Sequence, residues 1–219
     1  DRPDLIASQT PTYPPGAKRM LRDNGVWPAA LKDPRVALET RRIDAITPSG
    51  VRLSDGTTHE LDALIYATGF RASDFLVPVD VVGVDGRRLH DWWNGDARAY
   101  LGMCMPGFPN FFCMYGPNTN LVVHGSLILF AESQAHYIMQ CLQRVLAKQA
   151  AAIMVTEDAF RDFNERIDRE NRLMAWGAST VSSWYKNDLG RVSQNWPLPL
   201  QDFLAMTESP DVDDFTLLR

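Results

Sequence analysis

The sequence predicts an α/β fold with a helical C-terminal region. Residues 41–66 alternate apolar and polar positions between turns, the period of half-buried strands. Ala63 to Ala67 form a continuous apolar run, which suits a strand buried on both faces. Residues 125–148 carry apolar side chains at a helical period.

Each element follows from local chemistry. Residues 10–16, TPTYPPG, are expected as an extended loop, because their prolines fix φ and remove donors. AKRMLRDNG comes next, with Gly25 as its expected stop. VWPAALKDP suits one short helix ended by Pro34, and VALET (36–40) is a strand candidate. RRIDAI, VRL and THEL read as strands separated by the turns Pro48-Ser49-Gly50 and Ser54-Asp55-Gly56. Asp-Gly between alternating runs is a strong hairpin signal. ALIYAT follows as the buried strand.

After Phe70 the chain becomes loop-rich and aromatic, with Trp92, Trp93, Tyr100, Phe108, Phe111, Phe112 and Tyr115. NFFCMYGP (110–117) reads as a short buried strand ending in a glycine turn. The 125–148 helix is expected to bury Leu127, Ile128, Ala131, Ala135, Ile138, Met139, Leu142, Val145 and Leu146. Thr156 is expected to cap a second helix, with Glu157 and Asp158 in the first turn, where the dipole favours acids. Its stripe would be Phe160, Phe163, Ile167 and Met174. The tail from Val192 reads as irregular and proline-marked.

The chain has 219 residues, 45% hydrophobic and 22% charged, enough for one large domain or two small ones with a true core. Its 22 basic and 27 acidic residues leave a net charge of -5. That balance argues against nucleic acid or an anionic membrane as partner, since both select a basic face. Cys104, Cys113 and Cys141 contain no C-x-x-C pair and read as reduced thiols of a cytoplasmic protein. The apolar stretch from Leu121 is interrupted by His124, Gly125, Ser126, Glu132 and Gln134, too broken for a membrane span. The start, DRPDLIASQT, has no signal-peptide pattern and no initiator Met, as expected of a piece of something longer or of a trimmed end.

Several segments could carry chemistry, and each has a plain structural reading beside it. In ATGF (67–70), Thr68, Gly69 and Phe70 stand at the end of a strand, where ligands dock in α/β sheets. Gly69 permits positive φ and leaves room for close approach, or simply turns the chain. YGPNTN (115–120) repeats the pattern ahead of a helix N-terminus, whose partial positive charge would stabilise an anionic ring, or it is only a capped loop. Lys18 and Arg19 lie side by side after a rigid loop and suit an anion, or form a solvated pair. Trp184 and Tyr185 in VSSWYKN could stack on a flat ligand or fill a core. Glu132 and His136 share a helix face, but no further ligand is spaced to join them, so no metal is expected. No G-x-S-x-G occurs.

Taken in order, YPPGAKRMLRDNGVW, GVRLSDGTTHELDALIYATGF, RAYLGMCMPGFPNFFCMYGPNTN and VSSWYKN resemble type I Baeyer–Villiger flavin monooxygenases. GSLILFAESQAHYIMQCL and PDVDDF bring the likeness toward the 4-hydroxyacetophenone monooxygenases. It runs over nearly the whole chain. ATGF alone is shared with many flavoproteins, whereas KRMLRDNG together with SSWYKN is far more specific.

The resemblance implies FAD and NADP held by Rossmann-like dinucleotide-binding domains, O2 as co-substrate, and a ketone converted to an ester or lactone. It places residues 1–62 at the end of the NADP-binding domain and 63–219 in the C-terminal half of the FAD-binding domain. The family's essential arginine falls on Arg19, which would hold a negatively charged peroxyflavin and position the nicotinamide. Lys18 falls on the position that meets the NADP ribose phosphate, and Trp184 on the tryptophan that contacts NADP. Gly116, Pro117, Asn118, Thr119 and Asn120 fall on the loop beside the flavin ring. Thr68, Gly69 and Phe70 fall on the crossing between domains. The aromatic-rich middle would help line an aryl-ketone pocket.

The departure is large. The family's two G-x-G-x-x-G motifs and the histidine-containing fingerprint between them are not in these residues. The chain is therefore expected to be a C-terminal part that needs an N-terminal half, from the same gene or a separate chain, and to be inactive alone. Alternatives are a flavin monooxygenase acting on nitrogen or sulfur, and a non-catalytic interaction module.

Overall fold

A computed structural model describes residues 2–122 and 125–219. The chain divides into two units, residues 1–12 with 21–70, and residues 13–20 with 71–219.

The first unit opens with a 3-10 turn, Pro3–Leu5, and a single helical turn, α1 (Ile6–Gln9). Helix α2 (Val26–Lys32) ends before Pro34 as expected and buries Leu31. Gly25 does not stop a helix. It is the N-cap of α2, in the left-handed region at φ 91°, and Asp23 Oδ1 accepts a 2.9 Å bond from its N–H. Residues 17–24 are irregular.

Strands β1 (Ile43–Thr47), β2 (Gly50–Leu53) and β3 (Thr58–Glu60) form an antiparallel sheet in that order. Thr47 faces Gly50, and Arg52 faces Thr58. Val51 and Leu53 supply its buried side, so this hairpin region is as the alternation predicts.

Two expected strands are absent. Among the described residues, neither 36–40 nor 62–70 carries a ladder. The ALIYAT run is solvent-exposed rather than buried, with Ile65 88% and Tyr66 68% accessible. An apolar run becomes a doubly buried strand only when neighbours pair both its edges and layers cover both its faces. No described residue supplies such a neighbour.

The second unit holds α3 (Leu89–Trp93), α4 (Leu127–Ala147), β4 (Ala152–Val155), α5 (Glu157–Leu173), α6 (Leu200–Met206) and β5 (Phe215–Leu218). β4 and β5 pair antiparallel, Ala152 facing Leu218 and Val155 facing Phe215. The tail is thus more regular than its prolines suggest. Thr156 caps α5 as expected, its hydroxyl accepting from Ala159 N at 3.2 Å.

The main core packs Phe130, Tyr137 and Cys141 of α4 against Ile153, Phe163, Ile167, Trp196 and Phe203. Phe130 and Phe203 stack with ring centroids 3.8 Å apart. A satellite core holds Leu89, Trp93, Met105 and Phe108. The aromatic-rich middle therefore builds core first, and of the aromatic residues singled out in that stretch only Tyr115 is exposed. Phe112 and Phe111 pack partly buried against these clusters.

Helix α4 corrects an expectation. Its buried residues are Phe130, Gln134, Tyr137, Cys141 and Val145, while Leu127, Ile128, Met139, Leu142 and Leu146 face solvent. The helix is apolar around most of its circumference, so periodicity could not choose the face. NFFCMYGP is not a strand either. Asn110 and Tyr115 take positive φ, and the segment is pinned by single bonds such as Cys113 N to Met103 O at 2.9 Å. On α5, Phe163 and Ile167 are buried as expected, Phe160 and Met174 only partly, and Asn164 and Asn171 join the buried stripe. The expected helix start at residue 125 shifts to 127, and His124 lies outside the described residues.

Candidate functional site

The candidate site begins with the proline loop at 13–16. Its turn is closed by Ala17 N donating to Pro14 O at 3.0 Å, and Ala17 itself is fully buried. That anchor presents the next two residues. Lys18 is half-buried, its ammonium 4.6 Å from the Tyr13 ring centroid. Arg19 is exposed, and its positive field reaches two phenols, Tyr115 and Tyr185. Burial raises both phenols, and Arg19 acts in the opposite direction. One cation thus acts electrostatically on an aromatic residue of YGPNTN and on one of VSSWYKN.

The 116–120 loop is buried throughout. Gly116 is required there. A Cβ on it would lie 2.4 Å from Gly102 O, so the two backbone segments can approach only because no side chain intervenes. The side chains that follow turn inward. Thr119 Oγ1 donates to Gly116 O at 2.8 Å. Asn118 Nδ2 donates to Val192 O at 2.8 Å and to Asn195 O at 3.2 Å. Tyr115 donates its hydroxyl to Asn120 Oδ1 at 3.0 Å, and Asn120 Nδ2 donates to Asn195 Oδ1 at 2.8 Å. What this loop can offer a ligand is its backbone, held rigid by amide side chains.

Trp184 is 43% exposed and lies 4.6 Å from the Tyr185 ring, tilted by 60°. Tyr185 is fully buried in a small cluster with Trp176 and Val192. Lys186 secures this segment by donating to Ala178 O at 2.7 Å and Val181 O at 3.0 Å.

Lys18, Arg19, the 116–120 loop and Trp184 therefore share one unit. Thr68, Gly69 and Phe70 belong to the other. Gly69 does take positive φ, at 86°, and all three are exposed.

Residues that the motifs do not reveal complete the site. Asp96 and Arg191 are 95 positions apart in sequence and form an ion pair. Asp96 also binds Arg98, and both arginines bind Asp168. Burial pushes the Asp96 carboxyl up, but Arg191 and Arg98 outweigh it, and the net shift is downward. Nothing in the spacing of these residues signals their meeting. Among the described residues no cluster of His, Cys, Asp or Glu is placed to hold a metal. Cys104, Cys113 and Cys141 are free and buried, and burial raises the Cys113 and Cys141 thiols to about 11.

The donor set fits an anionic ligand with flat rings. Arg19 and Lys18 supply charge, and Trp184 supplies a half-exposed ring. Two further buried polar atoms, Tyr185 Oη and Asn195 Nδ2, have no partner among the described residues. Asn195 Oδ1 accepts from Asn120, which orients its Nδ2 as a donor.

No protein-family model matches the chain. It is 34% identical over 218 residues to a Baeyer–Villiger monooxygenase of Streptomyces coelicolor, covering 99% of this chain and 42% of that protein. It is 40% identical over 201 residues to an FAD-binding monooxygenase of Aspergillus niger, covering 90% of this chain and 33% of that protein. A solved oxidized steroid monooxygenase bound to NADP superposes over 100% of this chain and 42% of its own, with a TM-score of 0.83 and 26% identity. The fold is that of the C-terminal part of such flavoproteins. The chain spans less than half the length of these relatives, and the comparisons match Baeyer–Villiger and FAD-binding monooxygenases without singling out those acting on 4-hydroxyacetophenone.

Proposed function

We propose that the chain is the C-terminal part of an FAD- and NADPH-dependent monooxygenase that inserts one oxygen atom next to a ketone. Ketone, O2, NADPH and a proton give ester, NADP+ and water. The observation that carries this reading is that Lys18, exposed Arg19, the buried 116–120 loop and half-exposed Trp184 belong to one compact unit. It gains support from a chain similar along almost its full length to Baeyer–Villiger monooxygenases.

In this reading residues 1–62 close an NADP-binding domain and 63–219 form the C-terminal half of an FAD-binding domain. Bound flavin supplies the oxygen-transfer chemistry. Arg19 provides a fixed positive charge where negative charge develops, which is effective because the cation is already oriented. Lys18 binds the ribose phosphate of NADPH, and Trp184 packs on that cofactor. The backbone of Gly116, Pro117, Asn118, Thr119 and Asn120 borders the flavin ring. Thr68, Gly69 and Phe70 cross between domains close to cofactor. Tyr115, half-exposed at the head of the 116–120 loop, favours an aryl ketone of the 4-hydroxyacetophenone kind.

The test begins with the coding DNA upstream of Asp1, where an in-frame region with two G-x-G-x-x-G motifs is expected. The protein joined to that half should bind FAD, oxidise NADPH and convert 4-hydroxyacetophenone to an ester. Arg19→Ala should lower ester formation by about a hundredfold or more. Oxygenation of an amine or sulfide in place of the ketone would favour the nitrogen- or sulfur-oxidising reading. Unchanged oxygenation in Arg19→Ala would remove that residue from the mechanism.

A further inference from the structure

The part-buried charge cluster joins the 116–120 loop and the 181–187 segment at one point. Asp96 Oδ1 accepts from Asn187 Nδ2 at 2.7 Å, at the end of VSSWYKN, and from Arg191 Nε. Arg191 Nη1 donates to Asn118 Oδ1 at 3.1 Å, inside YGPNTN, and to Asp168 Oδ1 at 3.2 Å. Its Nη2 donates to Ala97 O. Backbone bonds close the same knot: Arg191 N donates to Asn187 Oδ1 at 2.9 Å, and Asn187 N to Arg191 O at 2.9 Å. The side chain of Arg191 is only 11% exposed.

We propose that Arg191 and Asp96 are a positioning pair that locks the 116–120 loop to the 181–187 segment, so that the surfaces for flavin and for nicotinamide nucleotide keep one spacing. The inference rests on the reading of those two segments given above. Arginine is needed because its planar fork addresses Asp96, Asp168, Asn118 and a backbone carbonyl from fixed directions, and a lysine ammonium cannot. Neither residue touches ligand. Asn118 and Asn187 are the arms by which the pair reaches each segment.

The arms make the proposal separable from a general loss of stability. In the FAD-loaded protein, binding of FAD and of NADPH is measured for Arg191→Lys, Asn118→Ala and Asn187→Ala, with the thermal midpoint and the visible spectrum of the bound flavin. Asn118→Ala should weaken FAD about tenfold and Asn187→Ala should weaken NADPH about tenfold, each mainly on its own side. Arg191→Lys should weaken both and shift the flavin band. Where Arg191→Lys does not fold, the two arm variants decide alone. Wild-type binding constants in both arm variants, or variants that move only the thermal midpoint, would overturn the proposal. If the wild-type protein with its N-terminal half binds no FAD, the proposed function fails and this inference falls with it.

Discussion

Asp96 shows how a single side chain acquires a task from its surroundings. Its carboxyl is held below the ordinary aspartate range by Arg191 and Arg98, against the opposing effect of burial. A depressed carboxyl contributes stability above its unfolded pKa, and that contribution is lost as pH falls through the lower folded value. Urea midpoints should therefore drop below the ordinary aspartate range of about pH 4, and Asp96→Asn should flatten that acid limb relative to wild type. An equal acid limb in both proteins would show that Asp96 is not one of the groups responsible. At Gly116 the constraint is steric. Gly116→Ala places a methyl group 2.4 Å from the Gly102 carbonyl oxygen, which only backbone movement can relieve. The expected cost is about 1–3 kcal/mol, read as a lowered urea midpoint.

Among the elements, α5 is the one whose start follows from sequence alone. Thr156 accepts from Ala159 N, and Glu157 and Asp158 occupy the first turn. Thr156→Ala should cost about 1 kcal/mol, measurable by denaturant titration. Helix α4 needs a different test, because its exposed and buried faces are both apolar. Met139→Lys on the exposed face should change stability by no more than about 0.5 kcal/mol. Phe130→Ala, which removes the ring stacked on Phe203 and edge-on to Trp196, should cost about 3–5 kcal/mol. A reversed order, with Met139→Lys the costlier substitution, would mean that α4 buries the opposite face in solution.

For the molecule as a whole, the exposed apolar side chains are the dominant physical fact. Ile65, Tyr66, Phe70, Ile128 and Leu146 all face solvent. Exposed apolar surface of this kind drives association or awaits a partner. The chain by itself should bind a hydrophobic dye and self-associate as concentration rises, and joining the proposed N-terminal half should suppress both. Unchanged dye binding in the joined protein would show that the half does not cover these faces. Among the described residues no helix is long and apolar enough to cross a membrane.

Local chemistry in the sequence determined the short proline-ended helix α2, the β1–β3 hairpins, the capped start of α5 and the positive φ of Gly69. In each, the deciding residues are neighbours in the chain, so a turn, a cap or a period is complete within a few positions. The motifs were equally legible, since KRMLRDNG, YGPNTN and SSWYKN are contiguous. Tertiary structure alone decided which face of α4 is buried, because Gln134 and Tyr137 carry polar atoms that hide an otherwise apolar stripe. It alone left ALIYAT unpaired, because a strand requires a neighbour that its own residues do not contain. And it alone brought Arg191 to Asp96 and Asn118, since the chain must fold before positions so far apart in sequence can meet.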